Sequence, residues 1–234
     1  VIRMEGRALC QEPPKVIMRL EFYRSRSFVR LTHTVEFMQK DPREAFVRRI
    51  AVRLPLSVDA GSARITAGGQ DGPVKIAPAR LAGILQTSHL NYEVWRTSDN
   101  GRYRDVVESQ HASRGWLDVT CLQGGVAIVQ RGMWKEAPKN LLFDARSGAI
   151  RVDLWPECVP LMDVRRYSNY PHRSQGESVS DNDMRWVVDY YYSHDPFVGI
   201  TRTHETLFFF HGPDTEPAQV DSVAADFNSQ PLVY

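Results

Sequence analysis

Two stretches of this sequence carry the residue types that acid–base chemistry on a sugar acid would need. One is the cluster Arg165, Arg166, Tyr167, Tyr170, His172 and Arg173, in which guanidinium groups bracket two phenols and an imidazole. The other is ITRTHETLFFFH, residues 200–211, where Arg202, His204 and Thr206 share one face of an extended strand. Arg presents a planar fork that matches a carboxylate. Neutralising the carboxylate of a uronate acidifies the proton on the adjacent ring carbon. A His or Tyr can then remove it while a Tyr or His protonates the leaving oxygen. This chemistry assigns acid–base roles to His204, Tyr167 and His172, and carboxylate binding to Arg166, Arg173 and Arg202. Trp134 and Trp155 stand beside turns and offer the flat apolar area on which a sugar ring stacks its C–H face. Trp116 and Trp186 are expected to be buried between sheets.

Other chemistries find little support. His204 and Glu205 are adjacent, so on a strand they face opposite ways and cannot chelate together. His111, His172 and His194 have no HxH or HExxH neighbours, so no zinc site is expected and no cofactor is called for. Calcium is left open only by scattered Asp and Asn residues, without an EF-hand loop. There is no G-x-S-x-G, P-loop or GxGxxG. Asp118, Asp153, Glu177, Asp181 and Asp183 read as surface acids. His33 lies on an apolar strand face and reads as a satisfied core histidine.

The 234 residues are 42% hydrophobic and 24% charged, the composition of a chain that packs a core. Lys and Arg number 29 against 28 Asp and Glu, a net charge of +1 that argues against nucleic-acid or acidic-membrane partners. No run of about 18 apolar residues occurs, so no helical membrane span is expected. Cys10, Cys121 and Cys158 are widely spaced and suggest no disulfide framework. The chain opens at Val1 in strand-like sequence, without an initiator Met or signal peptide, which predicts a piece of a longer protein. Secreted, periplasmic and cytoplasmic locations all remain open.

The elements that must position these residues are strands. Val16, Met18, Leu20 and Phe22 alternate with polar residues, as do Val29, Leu31, His33, Val35 and Phe37. The two runs predict a long hairpin with one apolar face. A strand is expected over 46–58, short strands near 63–66 and 74–77, and one ending at Tyr92–Trp95. The stretch RGWLDVTCLQGGVAIVQRGMWKEAPKNLLFDARSGAIRVDLWP, residues 114–156, predicts a strand at 116–122, a Gly124-Gly125 turn and a strand at 126–131. One or two helical turns follow within 133–142, then strands at 141–144 and 149–155. Residues 156–183 read as a long polar loop, 184–192 and 200–211 as strands, and 216–229 as an amphipathic helix with Val220, Val223 and Phe227 on one stripe. The run 207–210 predicts burial on both faces. Many strands and scarcely any helix specify an all-β, large antiparallel β-sandwich with a C-terminal exit helix.

Several segments resemble the exo-rhamnogalacturonan lyase-like family, which includes the bacterial YetA-like proteins. They are Gly115-Trp116-Leu117-Asp118, Gly125-Val126-Ala127-Ile128, Met133-Trp134 with Ala137-Pro138-Lys139, residues 150–156 (IRVDLWP), 162–167 (MDVRRY) and 199–207 (GITRTHETL). The resemblance covers about residues 15–212 and is carried by the ordered set, not by one motif. It implies a three-domain parent with an N-terminal β barrel, a central super-sandwich of the galactose-mutarotase-like kind and a C-terminal α/α toroid. Residues 1–212 would be the central sandwich and 213–234 a linker helix toward a toroid outside this chain. The implied activity is β-elimination on rhamnogalacturonan or another uronate-containing glycan. The implied partners are an acidic polysaccharide or oligosaccharide and the other domains of the same chain. A noncatalytic carbohydrate-binding or interdomain sandwich is the alternative. It predicts that Trp134 and Trp155 are exposed or domain-facing. An aldose-epimerase-like enzyme would need a His and a Glu facing each other, for which His204 with Glu36 or Glu205 is a poor fit.

Overall fold

A computed structural model describes residues 1–7, 13–38, 46–56, 62–98, 104–164 and 199–229 of the chain. In chain order the strands are β1 (Ile2–Arg7), β2 (Lys15–Phe22), β3 (Phe28–Phe37), β4 (Phe46–Val47), β5 (Ile50–Pro55), β6 (Arg64–Gly68), β7 (Pro73–Ile76) and β8 (Leu81–Ser88). They continue as β9 (Asn91–Thr97), β10 (Arg104–Gln110), β11 (Trp116–Cys121), β12 (Gly124–Gln130), β13 (Lys139–Asp144), β14 (Ala149–Trp155), β15 (Met162–Asp163) and β16 (Ile200–His211). One helix, α1 (Pro217–Ser229), follows. An eight-stranded antiparallel sheet runs β1-β2-β3-β16-β12-β11-β6-β7, and a six-stranded one β10-β9-β8-β13-β14-β5. The large antiparallel sandwich with a C-terminal helix is therefore the fold.

The two sheets bury their facing side chains against each other. Leu31, Ile65, Leu117, Val119 and Ile128 of the large sheet meet Ile84, Val94, Leu141, Phe143, Ile150 and Val152 of the small one. Each such side chain contributes about 1.5–3 kcal/mol when removed from water. Beside this main core lies a smaller one of Val35, Phe37, Met162 and Val164. On β3 the inward positions run Leu31, His33, Val35. His33 thus falls at the boundary between the two cores, a polar residue between apolar neighbours on the same strand face.

The outer face of the large sheet is covered by α1. Val220, Ala224 and Phe227 pack on Trp116, Ala127, Val129 and Leu207. The indole N–H of Trp116 donates to Asp221 Oδ1 at 2.9 Å, and Arg114 pairs with the other oxygen of the same carboxylate. Trp116 lies so close over β6 that a Cβ on Gly68 would come 2.3 Å from its Nε1. The helix is therefore docked on this sheet through its apolar stripe. Trp116 is buried as anticipated, but beneath a helix and not between sheets.

Several local expectations differ from the structure. The β11–β12 hairpin turns at Leu122–Gln123, and Gly124 and Gly125 are the first residues of β12. The ring of His211 explains why these glycines belong to a strand. His211 on β16 reaches across β12 to place Nε2 2.8 Å from Asp118 Oδ1 on β11, over the Cα of Gly125. A Cβ there would stand 2.4 Å from His211 Cε1. β10 was not anticipated, because its Arg104–Gln110 sequence alternates poorly. The 46–58 strand divides into β4 and β5, and β13 begins at Lys139, inside the segment read as helical. Phe210 is exposed on β16, so burial on both faces holds only for Leu207 and Phe208. Asp118 and Asp153, read as surface acids, are each 1% exposed. Asp118 holds His211 and the Thr120 hydroxyl, while Asp153 holds Arg151 and the Asn140 amide. Trp186 and the 184–192 strand lie outside the described residues, as do Glu177, Asp181 and Asp183.

Two consequences can be measured. Gly125→Ala forces the His211 ring off Asp118 and destabilises the fold by about 1–3 kcal/mol, read from denaturant midpoints. Burial opposes the charge on His211, but its bond to Asp118 wins and raises its pKa above 6.5. The pair therefore contributes stability below the unfolded pKa, and that stability is lost as pH rises through the folded one. His211→Asn should remove this alkaline-side decline from a pH series of melting temperatures.

Candidate functional site

β16 separates the chemistry of its two faces. Arg202, His204 and Thr206 point between the sheets with Phe208, whereas Leu207 faces outward under α1. Glu205 shares that outer side, where it bonds Arg30 and Arg131 at 2.7 Å each. As expected, His204 and Glu205 lie on opposite faces of the strand. In the β3–β16 register His204 pairs directly with His33. Opposite them β13 points Lys139, Leu141 and Phe143 inward. The turn before it, residues 131–136, is closed by the N–H groups of Lys135 and Glu136, which donate to Gly132 O at 2.8 and 3.0 Å. That turn delivers Glu136 to His204.

The resulting group is compact. His204 Nδ1 lies 2.9 Å from Glu136 Oε2, and His204 is only 3% exposed. Lys139 is 0% exposed; its ammonium donates to the carbonyl oxygens of Glu136 at 2.5 Å and Pro138 at 3.5 Å. Arg202 reaches Met162 Sδ with Nη1 at 3.7 Å. Thr206 donates its hydroxyl to Gln130 Oε1 at 2.9 Å. Among the described residues, His33 Nδ1 and Gln130 Nε2 are buried without hydrogen-bond partners. His33 is therefore a core histidine, but not a satisfied one.

Electrostatics tune each member. Burial pushes His33 down to about 4, helped by the charge on His204. Burial also lowers His204, against the Glu136 bond and with the charges of Lys139 and Arg202. For Glu136, burial alone would raise the carboxyl. The His204 bond and the charges of His204, Lys139 and Arg202 outweigh it and hold the carboxyl below its ordinary value. Burial pushes Lys139 down to about 7, assisted by Arg202 and opposed by Glu136. At neutral pH both imidazoles are then uncharged. The Glu136 carboxylate accepts the Nδ1 proton of His204, which leaves Nε2 as the basic nitrogen. A neutral imidazole oriented by a carboxylate can take a proton, an amine near neutrality can do the same, and a guanidinium can hold an anion.

Of the residues expected from sequence, His204 and Arg202 come together here. Tyr167, His172, Arg166 and Arg173 lie outside the described residues. Trp134 is 40% exposed and lines a cleft of about 620 Å³ with Arg114, Lys135, Glu136 and the α1 residues Asp221 and Asn228. Trp155 is half-buried against the smaller core, its indole N–H donating to Pro160 O at 3.1 Å. Glu136, Lys139 and His33 are the members that sequence reasoning missed. Only Lys139 carried a local signal, since it shares the inward alternation of Leu141 and Phe143. Glu136 is the carboxylate that meets His204, in place of Glu36 or Glu205. Among the described residues no group of three or more His, Cys, Asp or Glu is placed to hold a metal ion, and no helix is long and apolar enough to cross a membrane.

Comparison with known proteins agrees with the expected resemblance. A family model described as the PcRGLX-like protein central beta sandwich domain matches residues 83–225, more than half of the chain. No curated protein matches it. Among solved structures, a crystal structure described as an aldose 1-epimerase from Klebsiella pneumoniae is similar over 97% of this chain, at 8% identity and a TM-score of 0.40. The present chain spans 54% of that one.

A buried lysine that has lost much of its charge is a cost to the fold. With a folded pKa of about 7 against roughly 10.4 when unfolded, the unfolded chain binds more protons between these values. Stability therefore rises with pH across that window. Lys139→Met should raise the melting temperature at pH 7 by several degrees and flatten its rise toward alkaline pH.

Proposed function

We propose, since this chain belongs to the PcRGLX-like central β-sandwich domain family of rhamnogalacturonan lyase-like proteins, that it is the middle portion of a polysaccharide lyase. The parent acts by β-elimination on a uronate-containing glycan of the rhamnogalacturonan I type. A β barrel and an α/α toroid would complete the parent, with α1 leading toward the toroid. The observation that carries an enzymatic reading of this portion is the inward group of His204, Glu136, Lys139 and Arg202. Its parts match the demands of the reaction. Arg202 would take the uronate carboxylate and draw electron density from the ring carbon beside it. His204, neutral and held through Nδ1 by Glu136, would accept that carbon's proton on Nε2. The C–O bond to the leaving sugar then breaks as the ring double bond forms, and the leaving oxygen takes up a proton. Tyr167 and His172 remain the proposed donors, with Arg166 and Arg173 as further carboxylate binders.

A second reading is favoured by the depth of the group. His204 is 3% exposed, which suits a structural polar core in a noncatalytic sandwich that binds glycan or packs between domains.

Incubating the full-length parent with rhamnogalacturonan I and following the absorbance of unsaturated uronate decides between them. The lyase reading expects a steady rise, an acid limb below pH 6.5 from the lowered His204, and a loss of roughly 10²-fold or more in His204→Asn. Arg202→Gln should lower kcat as well as raise KM, because the carboxylate it neutralises is what acidifies the ring proton. No rise at any pH, with or without calcium, sinks the lyase reading for this substrate. A His204→Asn variant with full rate and a lowered melting temperature favours the structural one.

A further inference from the structure

The cleft beside the buried group has a chemistry of its own. Its floor is the 131–136 turn, tied to α1 by the Gly132 N–H, which donates to Asn228 Oδ1 at 2.9 Å. Asn228 in turn donates its amide to Ala224 O at 2.9 Å, within the helix. Turn and helix are thereby joined, so the wall between them is set before any ligand arrives. Trp134 and Lys135 project from this turn and are both exposed. The Lys135 ammonium sits 5.3 Å from the centre of the Trp134 ring.

The charges around this pair are unequal in their compensation. Arg114 is matched by Asp221, and Arg131 by Glu205 at 2.7 Å, its guanidinium also covering the Phe227 ring at 4.4 Å. Glu136 is engaged by His204. Lys135 has no carboxylate partner among the described residues. The cleft therefore offers an aromatic ring with a cation over one of its faces, and that cation is without a carboxylate partner among the described residues. A protein partner would ordinarily meet a contiguous apolar patch. Here Trp134 is the one large hydrophobic residue exposed in the cleft among the described residues, and its neighbour Met133 is 1% exposed. A small ligand with an apolar ring face and an anionic substituent fits that pattern better.

We propose that the cleft between the 131–136 turn and α1 is a sugar-acid subsite, distinct from the His204 group, in which Trp134 carries the C–H face of a uronate ring and Lys135 takes its carboxylate. Glu136 forms the common wall of the subsite and the buried group, so a glycan seated here lies alongside the His204 position. The choice of uronate as probe rests on the lyase reading, but the subsite stands on the aromatic–cation pair alone.

The test is calorimetric titration of the intact protein with a short galacturonate oligosaccharide and with its neutral counterpart, carboxylates reduced to alcohols. The acidic ligand should bind about tenfold or more tightly than the neutral one, and added salt should erode the difference. Trp134→Ala should weaken both ligands at least tenfold. Lys135→Gln should weaken only the acidic one and remove the preference. Both side chains are exposed, so unchanged melting temperatures would confirm that the variants fold. Unchanged binding in Trp134→Ala, a preference that survives Lys135→Gln, or no binding of either ligand would overturn the proposal. In the last case, loss of association with the parent's other domains in Trp134→Ala would make the cleft a docking face. Binding that follows the expected pattern without unsaturated product would sink the lyase reading only. Product formation with unchanged KM in Trp134→Ala would sink the subsite only.

Discussion

The antiparallel pairing of β3 with β16 is the seam on which the rest of the structure depends. Ten residues of each strand pair, from Ile200 opposite Phe37 to Phe209 opposite Phe28. Because side chains alternate, this one register decides what lies inside and what lies under the helix. A slip by one residue would send Glu205 into the inter-sheet space and His204 out beneath α1. The register is held from both sides. Leu31 and Phe208 are anchored in the main core and Val35 in the smaller one, while Leu207 is anchored against α1. The polar residues His33 and His204 are thus placed by their apolar neighbours.

That placement creates an interior environment which works against charge. His33, His204 and Lys139 are all shifted toward their neutral forms, with burial the leading cause in each. Glu136 stays ionised because an imidazole and two nearby cations support it. Natural folds tolerate such groups sparingly, since each buried polar atom without a partner costs stability. His33 Nδ1 and Gln130 Nε2, buried without partners among the described residues, mark the same region as one where polar groups are kept despite that cost. The outer face shows the contrasting solution. There Asp118 with His211, and Glu205 with Arg30 and Arg131, are paired, and α1 seals Trp116 over the sheet through its bond to Asp221.

The glycine-rich start of β12 shows how a local signal can be overruled. Gly124-Gly125 has the composition of a hairpin turn, and read locally it predicts one. In the folded chain the turn falls two residues earlier, and Gly125 is needed because the His211 ring crosses it to reach Asp118. Residue 211 is far from 125 in sequence, so no window around the glycines contains the reason for them. The buried state of Asp118 and Asp153 was hidden in the same way, because His211 and Asn140, which bond them, arrive from other strands.

Alternation along single strands was enough to establish the sandwich, the faces of β2 and β3, the extent of β16 and the opposite directions of His204 and Glu205, because those properties follow from a two-residue period. The amphipathic stripe likewise announced α1, although not that it would dock on Trp116. Short ordered segments also carried the family resemblance. What local pattern could not supply was proximity. Glu136 and Lys139 sit on a turn and a strand start that read as weakly helical, 60 to 70 positions before His204. Their meeting with it depends on strand order in two different sheets. Only tertiary packing brings those edges together, excludes water from the space between them, and so shifts His204 and Lys139 toward their neutral forms beside an ionised Glu136.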